Sequence, residues 1–199
     1  MFKSEGFLDL LFNALLGFVF LFAISFMMVD VEKEKAGIST KAEFIITTTW
    51  DLENTSDVDS WLRDPAGNIL YFRDKEPGLM HLDRDDLGSM KDKFLLPDGT
   101  EIIYPYNQEI VTVRGIIPGW WVYNIHMYKW RTAKVTNVQV KMEKINPTIK
   151  TVFLKTFKIA RQGEEITVAR FKMDSVGNIL DIDTLHTPLV FERLHGGGD

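Results

Sequence analysis

The chain has 199 residues, no cysteine and a net charge of -5 at neutral pH, with an isoelectric point of 5.4. Without cysteine there is no thiol nucleophile, no thiolate metal site and no disulfide, so the fold stands on packing alone. Acids and bases are interspersed, leaving no basic stripe for nucleic acid and no polybasic patch for anionic lipid; no nucleic-acid partner is expected.

Residues 1–6 form a short N-terminus, and from Phe7 to Val29 runs an apolar stretch whose sole ionisable residue is Asp9. Its roughly 23 residues, at about 1.5 Å each, make a helix of about 34 Å, enough to cross a hydrocarbon core of about 30 Å. The run lacks the basic leader, short apolar core and small-residue exit of a cleavable signal, so a retained transmembrane helix is expected at residues 7–29. Lys3 is offset by Glu5, whereas Lys33, Lys35 and Lys41 follow the span; charge alone slightly favours a cytoplasmic C-terminal side.

Residues 30–42 read as a juxtamembrane linker. Its charged start suits an extension of the helix, and Ala36-Gly-Ile-Ser-Thr40 suits a loop. From residue 43 the period changes to two. Strands are expected at Phe44 to Trp50, Val58 to Leu62, Ile69 to Arg73, Ile102 to Tyr106, Glu109 to Gly115 and Trp120 to Trp130, then at Val135 to Ile145, Ile149 to Ile159, Glu164 to Met173 and Ile179 to Asp183. Turn residues separate them at Asp64-Pro-Ala-Gly-Asn68, Glu76-Pro-Gly78, Pro97-Asp-Gly99, Pro118-Gly119 and Asp174-Ser-Val-Gly-Asn178. This predicts a single N-terminal transmembrane helix followed by a mainly-β soluble domain, an antiparallel β-sandwich over residues 43–195. No internal repeat is evident, and Gly196-Gly-Gly-Asp199 reads as a flexible tail.

A charge in a span costs several kcal/mol and usually faces a helix bundle or a water path. Two readings of Asp9 stand side by side. It caps the first turn of the helix, near headgroup water, or it carries an ion. Asn13 lies one turn further in on the same face, extended by Leu16 and Phe20, and suits a protein neighbour better than lipid.

The segment Phe7-Leu-Asp9-Leu-Leu-Phe-Asn13-Ala-Leu-Leu-Gly17-Phe-Val-Phe-Leu-Phe22 resembles the membrane segment of the MotB, ExbD and TolR family, the stator-type subunits of ion-driven motors. The resemblance covers about the first 35 residues. It implies a cytoplasmic N-terminus, an inner-membrane location and an extracytoplasmic C-terminal domain. It also implies a dimer of this chain inside a pentamer of a MotA, ExbB or TolQ-like multispan protein. Asp9 would take up and release H⁺ or Na⁺, with Asn13 beside it, and the soluble domain would engage an extracytoplasmic target. The strand series resembles neither the OmpA-type domain of MotB-like proteins nor the compact αβ domain of ExbD-like ones.

Three further blocks, Asp57-Val-Asp59-Ser-Trp-Leu-Arg-Asp64-Pro-Ala-Gly-Asn68, Leu82-Asp-Arg-Asp-Asp86 and Pro118-Gly-Trp-Trp-Val-Tyr-Asn124, resemble extracytoplasmic β-sandwich domains of the YfaP type. Asp57, Asp59, Asp83, Asp85 and Asp86, read as lying on two loops, are a candidate Ca²⁺ set because that ion takes six to eight oxygens. The competing reading is that they supply turn hydrogen bonds.

The five tryptophans suit a strand core, although adjacent Trp120 and Trp121 must point to opposite faces, leaving one of them outward. His81, His126, His186 and His195 show no metal-ligand spacing, and no serine sits in a nucleophile elbow. No enzymatic activity is expected. The alternative to a motor subunit is a membrane-anchored β-sandwich that binds or assembles without ion transport.

Overall fold

The computed structural model describes residues 3–35, 41–52, 54–88, 93–104 and 106–190. The loop half of the linker at 36–40, His195 and the tail at 196–199 lie outside these residues. The chain divides into two units, Met1–Ser39 and Thr40–Asp199.

The first unit is one helix, α1 (Lys3–Lys35). It outruns the apolar stretch because Glu32 to Lys35 are good helix formers, and the first helix breaker after Gly17 is Gly37. Its segment Gly6–Ser25, with a mean hydropathy of 2.3, is long and apolar enough to span a membrane or to act as a signal sequence.

The second unit is mainly β. In chain order its strands are β1 (Phe44–Trp50), β2 (Asp57–Arg63), β3 (Ile69–Leu70), β4 (Met80–Arg84), β5 (Lys93–Leu95) and β6 (Glu101–Ile103), then β7 (Gln108–Val113), β8 (Gly119–Lys129), β9 (Thr136–Lys144), β10 (Lys150–Ile159), β11 (Glu165–Met173) and β12 (Ile179–Asp183). Two five-stranded sheets, β10-β9-β1-β7-β4 and β12-β11-β8-β2-β3, are antiparallel at every pairing, and β5 and β6 form a separate hairpin. Each of the ten expected strands overlaps an observed one, with ends shifted by a few residues, Ile69 to Arg73 shortened to two, and Ile102 to Tyr106 meeting β6 only at Ile102 and Ile103. Strands β4 and β5 were not expected.

Period-two patterning explains the layering. On β1, Phe44, Ile46, Thr48 and Trp50 are buried and alternate with half-buried neighbours. On β8, Trp121, Tyr123, Ile125 and Met127 join one core cluster with Val138, Val140 and Met142 of β9, so both sheets feed the same core. That layering is consistent with a β-sandwich. Trp121 is fully buried, donates from Nε1 to Ile117 O at 3.0 Å and stacks on Phe171, whereas Trp120 stays 37% exposed under the Arg170 guanidinium.

The opposite face of the second sheet carries a smaller cluster of Trp61, Val122 and Leu189, with Tyr71 stacked on Trp61 at 4.6 Å. Glu165 pins the segment that covers it. Its Oε1 accepts from Asn124 Nδ2 at 2.5 Å and from the Leu189 amide at 2.7 Å.

A short repeat, missed in the sequence, brackets this sheet. Asp64-Pro-Ala-Gly-Asn-Ile-Leu70 and Asp174-Ser-Val-Gly-Asn-Ile-Leu180 turn the β2–β3 and β11–β12 hairpins at its two edges. In each, the aspartate Oδ1 accepts the asparagine amide, at 2.9 and 2.8 Å, and Oδ2 accepts the asparagine side-chain amide. Gly67 and Gly177 take positive φ angles of 91° and 77°, which side chains disfavour.

Trp121→Ala is expected to cost about 3–5 kcal/mol, because a large buried ring leaves a cavity, while Trp120→Ala costs under about 1 kcal/mol. Denaturant midpoints of the full chain in detergent measure both; similar losses would contradict the inward and outward placement.

Candidate functional site

On α1, Asp9 and Asn13 are one turn apart, and every side chain from Gly6 to Ser25 is exposed. Asn13, Leu16, Gly17, Val19, Phe20 and Ala23 line a shallow groove along one face. Gly17 makes the notch, since a Cβ built there meets nothing within 4 Å.

In the β unit, the structure sorts the expected metal ligands into two groups. Alternation along β2 sends Val58 and Leu62 into the shared core and Trp61 to the other side. Asp57 and Asp59 are nonetheless buried, each 2% exposed. Between Asp57 and Trp61, β2 pairs only with β8, because β3 reaches no further than Leu62. Its second edge is therefore open there, and the Ser60 amide donates to Glu109 Oε2 of β7 at 2.5 Å in place of a strand partner.

This brings Glu109, which is 1% exposed, beside Asp59 and Asp85. One carboxylate oxygen from each of the three lies within 4.8 Å of the others. Asp57 adjoins them and shares electrostatic interactions with Asp59 and Asp85. Nearby, the Tyr123 hydroxyl joins Thr48 Oγ1 at 2.5 Å and Ser60 Oγ at 2.7 Å, carrying a buried polar seam from one sheet to the other.

Asp83 and Asp86 do not belong to the group, which corrects the expected five-aspartate set. Asp83 sits on β4, accepting from the Thr112 hydroxyl and pairing with His81 Nδ1 at 2.7 Å and, more distantly, Arg114 at 3.7 Å. Asp86 accepts from Arg84 Nη2, the Gly88 amide and the Gln108 amide. Both tie strands and turns together. The remaining ligands are not on two loops either, since Asp57 and Asp59 lie within β2.

Glu109 was missed as a candidate. Its signal in the sequence is parity: it keeps step with Val111 and Val113 on the inward face of β7, a place where an unpaired acid is costly.

Crowding of acids out of water shows in their titration. Burial, then the charge of Asp59, pushes Asp57 up to about 7. Asp59 is raised by burial, partly offset by His126, and Glu109 is raised well above its ordinary range by burial and then by Asp59. His126 Nδ1 lies 3.6 Å from Asp59 Oδ2, too far for a good hydrogen bond.

No family model matches the chain, and no curated protein or solved structure matches it either.

A carboxyl group raised in the folded state destabilises the fold once it ionises. For Asp57 the penalty is absent below its unfolded value of 3.8 and complete above about 7. Asp183, lowered to about 2 by its Arg170 partner, acts in the opposite sense but below that window. The chelator-treated protein is therefore expected to lose Tm steadily between pH 4.5 and 8, and Glu109→Gln to raise Tm at pH 8 and flatten the slope. Calorimetry across this range would contradict the assignment if Tm were flat or rose.

Proposed function

We propose that this chain is the ion-carrying, single-span subunit of an ion-driven membrane motor of the MotB, ExbD and TolR kind. The observation that carries the reading is the helix face itself: a lone acid, an amide one turn deeper and a glycine notch on an apolar surface that no described residue covers. A lone lipid anchor needs none of the three. Against helices of a partner, Asn13 finds a hydrogen bond and Gly17 allows close approach.

In this reading the N-terminus is cytoplasmic, two copies of α1 sit within a pentamer of a multispan MotA, ExbB or TolQ-like protein, and the β unit is extracytoplasmic. Asp9 alternates between two water paths, protonated or sodium-bound on one and released on the other. Each charge that crosses delivers about 2.3 kcal/mol per 100 mV. The β unit transmits the resulting rotation to a target outside the membrane.

Expressed with its genomic neighbours and purified in mild detergent, the full chain is expected to elute with a multispan protein in a 5:2 complex. Asp9→Asn should preserve that complex and abolish ion-driven activity. A lone monomer overturns the motor reading, and full activity in Asp9→Asn reduces Asp9 to a helix cap. Either result favours a membrane-anchored binding or assembly module.

A further inference from the structure

We propose that Asp59, Asp85 and Glu109, with Asp57 alongside, form a Ca²⁺ site that joins the two sheets at the open edge of β2.

Spacing comes first. Oxygens bound to one Ca²⁺ at about 2.4 Å cannot lie more than about 4.8 Å apart, and one oxygen from each of the three residues meets that limit with the other two. They come from separate parts of the fold: Asp59 from β2 in one sheet, Glu109 from β7 in the other, and Asp85 from the segment after β4.

Unsatisfied oxygens are the second and independent observation. Asp57 Oδ1, Asp59 Oδ2, Asp85 Oδ1 and Glu109 Oε1 are all buried and accept no hydrogen bond. Buried polar atoms in folded proteins are overwhelmingly paired, and four orphaned carboxylate oxygens in one corner require a bound cation or retained protons. On Glu109 the second oxygen already accepts the Ser60 amide, and Oε1 is the oxygen left with no partner.

Protein cations do not meet the need. Lys75 takes the outer oxygen of Asp85 at 2.7 Å, Arg131 stands 3.9 Å from Asp57, and His126 stands 3.6 Å from Asp59. Among the described residues Glu109 has no ion pair. The ligand atoms are all carboxylate oxygens, which suits a hard ion and disfavours zinc or copper. Ca²⁺ accepts irregular and bidentate carboxylate geometry, whereas Mg²⁺ demands a near-ideal octahedron at shorter distances.

The site stands apart from the motor reading, because nothing in it depends on α1. Its test uses the full chain in mild detergent at pH 7.5, stripped with EGTA and returned to chelator-free buffer. CaCl₂ is titrated by calorimetry, and thermal unfolding is followed by tryptophan fluorescence, with MgCl₂ as the parallel arm. Saturating Ca²⁺ is expected to raise Tm by about 5–10 °C, reversed by EGTA. Glu109→Gln and Asp85→Asn should each abolish the shift while still unfolding cooperatively in EGTA. Asp83→Asn, outside the cluster, should keep it. Absence of heat and shift overturns the site in favour of retained protons. A response to Mg²⁺ but not Ca²⁺ overturns the choice of ion, and an undiminished Ca²⁺ shift in Glu109→Gln overturns the ligand set.

Discussion

The hydrogen bond from the Ser60 amide to Glu109 governs how the two sheets meet. A strand whose second edge finds no partner leaves an amide that must be satisfied, and here the acceptor is a carboxylate reaching across from the other sheet. That solution brings a charge into the protein interior. The acids of β2 and the segment after β4 gather beside it, and the Thr48, Tyr123 and Ser60 hydroxyls continue the polar line through the core. The main core cluster is apolar, so this corner is where the fold gathers its buried charge.

The β architecture was legible because period-two alternation survives wherever one face is wet: β1 and β9 show it plainly, and their bounds matched to within a residue or two. β4 was not legible. Met80 and Leu82 face the core, but His81, Asp83 and Arg84 make the segment look like a charged loop. That misreading carried into the site, where Asp83 was grouped with Asp85 although Asp83, on β4, is engaged by Thr112 and His81, while Asp85 follows the end of the strand at Arg84. Glu109 escaped notice because nothing local marks it. Its partners stand 49 and 50 residues earlier in Ser60 and Asp59, and such a pairing exists only once the sheets have stacked. The seven-residue repeat escaped for another reason: its two copies are short, and their likeness matters only because they occupy equivalent edges.

The two units obey different rules. In the β unit the large side chains are mostly inward, and four of the acids there keep a buried carboxylate oxygen without a hydrogen-bond partner. In the helix, apolar side chains are exposed along the whole of Gly6–Ser25. An apolar surface of that extent is the mark of a segment that meets a membrane or another protein.

The twin hairpins also bear on crowding. A sheet edge with unpaired amides invites another copy to add on. Here one edge of the second sheet ends in β3, only two residues long, and the other in β12, five residues with Asp181 and Asp183 among them. Neither offers a long, flat, neutral template. At these two edges, therefore, the second sheet gives a strand from another copy little to extend.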